Sequence, residues 1–225
     1  MTTLLEATVL LFFLGAFSFI CYKRKWLDNE GILIANSVGL ATFLLGGTNS
    51  LVALTVFFVA GELATYFVKG KKTLHYQRNT GNILGNALAS VVALLLNSPL
   101  VFFGAVSAAL ADTLSSEIGV LSKKKPFLVT TFKQVETGTD GAVSELGLLA
   151  AILGGFLMAA TGIVFGLNFW QAIVVWIAGI TGSLADSLFG ATLQKKGWVD
   201  NNEVNFLGSS AGALAAVALS IAFGL

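Results

Sequence analysis

The sequence has few charged residues, and this scarcity excludes most classes of soluble protein. Only 11% of the 225 residues are Asp, Glu, Lys or Arg, against roughly 25% in a typical soluble domain. Hydrophobic residues make up 56%, and the mean hydropathy is +0.84. So few charges could not cover so much apolar surface in a soluble chain of this length. Soluble enzymes, disordered tails and nucleic-acid-binding proteins are therefore poor interpretations, and an integral membrane protein remains.

Cysteine and histidine are scarce as well. Cys21 is the single cysteine and His75 the single histidine, which excludes an internal disulfide, a cysteine zinc site and a multi-histidine metal site. The sequence contains neither G-x-x-x-x-G-K nor G-x-G, so a Walker A loop and a Rossmann fingerprint are also excluded.

Eight apolar stretches approach the length that a membrane span needs, about 20 residues. Their approximate bounds are 2–21, 31–47, 50–68, 82–97, 99–118, 147–167, 169–190 and 205–224. The first stretch has basic residues after it and none before it, so it is interpreted as a retained span and not as a signal peptide. We therefore expect an all-α, polytopic transmembrane helical bundle that forms a single domain over residues 1–225.

The basic residues all fall in alternate connections between these stretches. They are Lys23, Arg24, Lys25, Lys69, Lys71, Lys72, Arg78, Lys123, Lys124, Lys125, Lys133, Lys195 and Lys196. With eight spans they lie on one side, which the positive-inside rule makes cytoplasmic. Both termini are then predicted to lie outside, in a multi-pass protein of a prokaryotic cell membrane.

Two short polar motifs each occur twice. Segments 110–114 (LADTL) and 184–188 (LADSL) end the fifth and seventh spans. Segments 79–85 and 202–208, both N-x-x-N-x-x-G, open the fourth and eighth spans. Each pair lies at one membrane depth on helices of matching direction, which favours an internal duplication.

Asp112 and Asp186 are the strongest candidates for chemistry. A carboxylate near the end of an apolar helix costs a few kcal/mol unless it is paired, hydrated or bound to a metal. Both lie on stripes of small residues, which let helices approach closely, so both should face the bundle interior. The alternative is a structural ion pair, with Arg78 as a partner, or a hydrogen bond between helices.

Glu117 follows Asp112 by five residues, about 140° around the helix, and near the helix end both could reach one ion. Oxygen ligands of this kind suit Mg²⁺. The predicted magnesium ligands are therefore Asp112, Glu117 and Asp186. The alternative for Glu117 is a solvated charge in the last turn of the helix.

Phosphate binding is predicted at the turn before the sixth span. Two glycines three residues apart precede a helix start, whose free N–H groups and positive dipole end favour phosphate. Lys133 could supply a catalytic cation, and Arg78 can bind phosphate through two nitrogens. The predicted phosphate and nucleotide contacts are Arg78, Asn82, Gly138, Thr139, Asp140, Gly141, Ser144, Asn202 and Asn205. A capped turn and hydrogen bonding between helices are the alternatives for the turn and for the asparagines.

These motifs resemble those of one membrane family. The similar segments are 111–119 (ADTLSSEIG), Leu121-Ser122 with Pro126, 138–144 (GTDGAVS) and 186–194 (DSLFGATLQ). The family, the domain of unknown function 92 group, contains plant phytyl-phosphate kinase and animal transmembrane protein 19. The resemblance covers the chain from about Asn36 onward.

The resemblance implies a kinase that uses a nucleoside triphosphate, CTP rather than ATP, to convert an isoprenyl monophosphate to the diphosphate. With the predicted magnesium ligands, it leads us to expect a Mg²⁺-dependent, cytoplasm-facing site at which Asp112, Asp186 and Lys133 are catalytic. The alternatives are a transporter of a small anion or lipid headgroup and a non-catalytic membrane scaffold. A transporter would need polar residues that continue to the outer face, and the outer halves of the spans hold few.

Overall fold

The computed structural model describes residues 4–68 and 78–225. Its elements in chain order are α1 (Leu4–Arg24), α2 (Asn29–Val68), α3 (Thr80–Leu95), α4 (Pro99–Gly119), β1 (Phe127–Leu128), β2 (Ala142–Val143), α5 (Glu145–Val164), α6 (Phe169–Phe189), a π-helical turn (Gly190–Gln194) and α7 (Asn201–Phe223). Within the described residues, every helix except α3 is long and apolar enough to cross a membrane. The predicted all-α transmembrane bundle is confirmed. Lys69, Lys71, Lys72 and His75 lie outside the described residues.

Helix α2 contains two membrane spans. Its 40 residues would extend about 60 Å if they were straight, twice the thickness of the hydrocarbon core. At Gly47 the backbone leaves the helix with φ 71° and ψ −169°, a conformation that glycine adopts without steric cost.

The two halves of α2 fold back on each other at this bend. A Cβ at Gly39 would lie 3.6 Å from Cδ1 of Leu51, although the two residues would be about 18 Å apart along a straight helix. The halves are therefore antiparallel neighbours. With the two halves of α2 counted separately and the shorter α3 included, the described helices give eight apolar segments, roughly consistent with the number expected from the sequence.

Both described ends of the chain lie on one face of the bundle. Leu10 packs with Phe43 and Leu51 near the Gly47 bend, and the rings of Trp170 and Phe223 lie 6.3 Å apart. At the opposite face, the backbone N–H of Arg78 donates to the carbonyl of Trp26 at 3.1 Å. The described ends therefore lie away from the basic end of α1, as the topology prediction requires.

Helix α4 is the centre of the bundle. Residues 102–111 are all buried, and α4 packs against α2, α3, α5, α6 and α7. A Cβ on Gly182 of α6 would clash with Cβ of Ala108 on α4 and lie 2.8 Å from the carbonyl oxygen of Gly208 on α7. Small residues allow this close approach, which fixes the inner ends of α4, α6 and α7 relative to one another.

Helix α1 lies at the edge of the bundle. Its packing in the described structure is mainly against α2, and large apolar side chains such as Leu11 and Phe12 are exposed. Apolar side chains on the outside are expected where lipid is the solvent.

Candidate active site

A polar cavity of about 1100 Å³ lies where the helices meet the basic face. Residues from the end of α1 through the start of α7 line it, and they include every predicted site residue except Lys133. These are Arg78, Asn82, Asp112, Glu117, Gly138, Thr139, Asp140, Gly141, Ser144, Asp186, Asn202 and Asn205. The volume is at the upper end of the roughly 300–1,000 Å³ typical of small-molecule sites, so the cavity has room for more than one phosphorylated ligand.

Asp112 of α4 and Asp186 of α6 both line this cavity and form an acidic pair. Helix α4 packs against α6, the two carboxyl groups interact electrostatically, and the side chain of Ser183 lies beside Asp112. The Oδ2 atom of Asp186 is buried and has no hydrogen-bond partner in the described part of the chain. A Cβ at Gly208 would lie 2.8 Å from that same atom, so a glycine leaves the oxygen its space.

Two carboxylates held together repel each other unless a proton or a cation lies with them. A buried carboxylate oxygen without a partner is also costly. The donor set of the Asp112–Asp186 pair therefore fits a divalent cation that prefers oxygen ligands.

Glu117 lines the cavity but lies apart from this pair. It interacts with Glu62 of α2, and residues 4–68 and 78–225 contain no group of three or more acidic, histidine or cysteine side chains that could hold a metal. The predicted set of three carboxylates is therefore not assembled as one cluster. The physical reason is the helical rotation of about 140° between Asp112 and Glu117, which directs the two carboxylates to different neighbouring helices.

Arg78 is fixed in the cavity wall by an ion pair that the sequence analysis missed. Its Nε atom lies 2.9 Å from Oε1 of Glu62, and the two side chains are 15% and 6% exposed. A Cβ at Gly61 would lie 2.7 Å from Nη2 of Arg78, so the absence of a side chain there makes room for the guanidinium. The available signal was a carboxylate inside a predicted span, which calls for a partner.

The asparagines of the repeated motif lie between α3 and α7. Asn79 caps α3 by accepting a hydrogen bond from the N–H of Asn82 at 3.0 Å. A Cβ at Gly81 would lie 2.5 Å from Nδ2 of Asn202, so Asn202 fills the gap between the two helices while it lines the cavity. Asn86, on the next turn of α3, also lines the cavity and donates to the carbonyl of Asn82 at 2.8 Å.

The turn at residues 138–141 is docked onto the end of α6. Gly141 has φ 71° and lies so close to the backbone of Ser187 and Ala191 that a side chain would not fit. Ser144 caps α5: its hydroxyl accepts from the N–H of Gly147 at 3.0 Å and donates to the carbonyl of Gly119 at 2.9 Å. The start of α5 is thereby held between the ends of α4 and α6, which carry the two aspartates.

Lys133 is not part of the cavity lining. It lies in the connection between β1 and β2, where its carbonyl accepts from the N–H of Leu128 at 3.0 Å, and its side chain is exposed. The predicted catalytic role of Lys133 is therefore not supported by this geometry. Lys133 and Gly138 both lie in the connection between β1 and β2, but only Gly138 lines the cavity.

The family model of integral membrane protein DUF92 matches residues 12–213. This chain is a member of that family. The resemblance noted in the sequence is thus confirmed. No solved structure matches the chain.

Relatives from archaea and plants match most of the chain. An uncharacterized membrane protein of Methanocaldococcus jannaschii is 34% identical over 96% of this chain and 95% of its own length. Protein PGR of Arabidopsis thaliana is 32% identical over 80% of this chain and 76% of its own. Protein VTE6, chloroplastic, of the same plant is 31% identical over 85% of this chain and 64% of its own.

Proposed function

We propose that this protein is a membrane-embedded kinase that transfers a phosphoryl group from CTP to a phytyl-like isoprenyl monophosphate. The observation that carries this proposal is the single cavity in which the Asp112–Asp186 pair, Arg78 and the turn before α5 meet. The family resemblance, which includes plant phytyl-phosphate kinase, gives independent support for the substrate class and for CTP.

The cavity contains groups suited to the metal ion, to the nucleotide phosphates and to the acceptor phosphate of this reaction. Asp112 and Asp186 would hold Mg²⁺, which neutralises and draws together phosphate oxygens. The turn at 138–141 and the start of α5 can bind nucleotide phosphates through backbone N–H groups. Arg78, aligned by Glu62, can bind the phosphate of the acceptor lipid.

The uncharged asparagines complete the cavity. Asn82, Asn202 and Asn205 can donate hydrogen bonds to, and accept them from, the nucleotide or the acceptor without adding charge. They face the cavity from α3 and α7, and α7 packs against α6, the helix that carries Asp186.

The reaction needs no general base. An oxygen of the acceptor phosphate attacks the γ-phosphorus of the nucleotide, the bond from that phosphorus to the bridging oxygen of the β-phosphate breaks, and the nucleoside diphosphate leaves. The acceptor phosphate is already ionised near pH 7, since its second pKa is about 6. Catalysis of such a transfer depends mainly on positioning and electrostatic stabilisation, which this set of groups can supply.

The alternative function, transport of a small anion or lipid headgroup, has less support than phosphoryl transfer. A transported anion would have to pass beyond Asp112 along α4, where residues 102–111 are buried and Phe102, Phe103 and Leu110 belong to an apolar core cluster. Polar solutes do not cross such a region without a polar path.

The proposal is tested with purified protein, Mg²⁺, each of the four nucleoside triphosphates and a panel of isoprenyl monophosphates, with products identified by mass spectrometry. We expect isoprenyl diphosphate in the presence of CTP and its loss when EDTA removes Mg²⁺. No diphosphate with any combination, from protein that is shown to be folded, would contradict the proposal.

A further inference from the structure

A second, apolar cavity lies between α1, the two halves of α2 and α3. Its lining includes Phe13, Phe17, Gly39, Leu51 and Phe58. The volume of this groove is about 60 Å³, against about 1100 Å³ for the polar cavity. It is therefore a narrow slot, too small for a nucleotide and suited to a thin, flexible chain.

The groove and the polar cavity meet at three shared side chains. Arg78, Asn82 and Asn86 line both of them. Apart from these, Thr55 is the one polar residue that lines the groove in the described structure. The polar groups are thus concentrated at one end of the groove, and that end is the cavity that contains the acidic pair.

Phe58 links the two spaces. The centre of its ring lies 6.0 Å from Cζ of Arg78 and 5.1 Å from the ring centre of Phe17, which it contacts edge-on. From Phe58 the groove continues along α2 to Leu51, about 10 Å further into the membrane. A ligand that follows this path passes from the guanidinium of Arg78 to a wall that is apolar except for Thr55, whose hydroxyl donates to the carbonyl of Leu51.

We infer that this groove binds the hydrocarbon chain of the isoprenyl phosphate, with the phosphate at Arg78, Asn82 and Asn86. The inference rests on the proposed function and adds the position of the lipid. A phosphorylated lipid has the charge and shape that the two joined spaces require: an anionic head for the guanidinium and one narrow apolar tail for the slot. The occupant enters from the bilayer beside α1, the helix that packs mainly against α2.

Gly39 offers a substitution that shortens the groove. A Cβ there would lie 3.4 Å from Cδ2 of Leu14 and 3.6 Å from Cδ1 of Leu51, so a larger side chain projects into the far end of the slot. The matched control is Gly15 of α1, where an added Cβ would meet no atom within 4 Å. It lies outside the groove lining.

We expect Gly39→Leu to raise the KM for a 20-carbon isoprenyl phosphate by about tenfold or more, in the range that one misfitted group causes in an apolar pocket. The KM for a five-carbon acceptor and for CTP should stay within about twofold, and Gly15→Leu should leave all three unchanged. Equal changes for both chain lengths, or no change, would overturn the groove assignment.

Photolabelling of the wild-type protein tests the groove without relying on turnover. The probe is a 20-carbon isoprenyl phosphate with a diazirine at the end of its tail, and unlabelled isoprenyl phosphate competes with it. Because the diazirine is at the end of the tail, we expect labelled residues at the far end of the groove, within 13–14, 38–39 and 51–54. Label on the outer surface of α5 or α6, from a protein that still transfers phosphate, overturns the groove and leaves the proposed function. Label in the groove with no transfer to any isoprenyl phosphate overturns the proposed function and leaves the groove.

Discussion

The two halves of the bundle are built differently. Helices α4, α6 and α7 approach one another closely because Gly182, Gly208 and Gly212 have no side chains. A Cβ at any of these positions would clash with a neighbouring helix. On the other side, α1 packs mainly against α2, a Cβ at Gly15 would meet open space, and the apolar groove lies between these helices and α3. The closely packed half carries Asp112 and Asp186. The looser half carries Arg78 and contains the apolar groove.

This difference in packing matches the two roles that we propose, metal binding in the closely packed half and lipid binding in the looser half. The proposed metal site would need ligands held in fixed positions by packed elements, and the glycine contacts of α4, α6 and α7 hold those helices close together. The proposed lipid would reach its groove from the edge of the bundle, where α1 packs mainly against α2. The polar cavity is lined by groups from both halves: Asp112 and Asp186 from the closely packed half and Arg78 from the looser half.

The largest expected effect comes from the acidic pair in the rigid half. Asp112→Asn and Asp186→Asn should each lower kcat by at least about 100-fold, the scale on which one preorganised electrostatic group acts in catalysis. The protein should remain folded, because Asn keeps the shape of the side chain. The control is Glu145→Gln, which breaks only an exposed pair with Lys124, and it should keep full activity. Wild-type rates in both aspartate variants would remove the metal assignment.

The second effect tests whether Arg78 of the looser half acts on the ligand or only on the fold. Arg78→Gln leaves the buried Glu62 without its partner, which should cost about 3–5 kcal/mol of stability. The double variant Arg78→Gln with Glu62→Gln should regain most of the thermal stability in detergent, because no buried charge remains. It should still bind the acceptor poorly. Recovery of the acceptor KM in the double variant would show a purely structural role.

The third effect compares the packing of the two halves directly. Gly182→Ala should destabilise the protein by about 1–3 kcal/mol, because its methyl group overlaps Ala108 on α4. Gly15→Ala should leave the stability unchanged or slightly higher, since alanine favours helix over glycine. Thermal unfolding of the two variants under one detergent condition measures the difference, and equal shifts would contradict the contrast.

The smallest effect is expected at Lys133. Because its exposed side chain lies outside the cavity lining, Lys133→Ala should change kcat/KM by less than about twofold, as surface substitutions usually do. A steady-state assay at saturating CTP and varied acceptor measures it. A loss comparable to that of Asp112→Asn would show that the hairpin bends over the cavity during turnover.

The sequence predicts the spans and most of the cavity lining, because the bilayer fixes the length of a span and charge fixes its orientation. Polar residues at the inner ends of apolar helices had to lie at one face, and Asp112, Asp186 and Asn82 do. The internal duplication stays a prediction: the structure places the repeated motifs beside each other, α4 with α6 and α3 with α7, but their order along the chain is reversed.

Three tertiary features could not be predicted from the pattern of apolar and charged residues: the bend at Gly47, the pairing of Glu62 with Arg78, and the short elements. The bend within α2 depends on the backbone conformation of Gly47 alone. The composition of segment 46–49 is equally typical of a loop between two separate helices. The pairing of Glu62 with Arg78 depends on how α2 packs against the start of α3. Strands of two residues and the π-helical turn at 190–194 are too short to leave a periodic signal. The sequence therefore did not show the hairpin that leaves Lys133 outside the cavity lining, and a catalytic role for Lys133 stays a prediction.

The most direct test of the account is whether Asp112 and Asp186 hold the divalent ion that contacts the nucleotide. Mn²⁺, which accepts the same oxygen ligands as Mg²⁺, can be followed by electron paramagnetic resonance in protein saturated with CTP. The account predicts bound Mn²⁺ with a hyperfine coupling to phosphorus in the wild type, and loss of the bound signal in Asp112→Asn with Asp186→Asn. An unchanged Mn²⁺ signal in that double variant would contradict it.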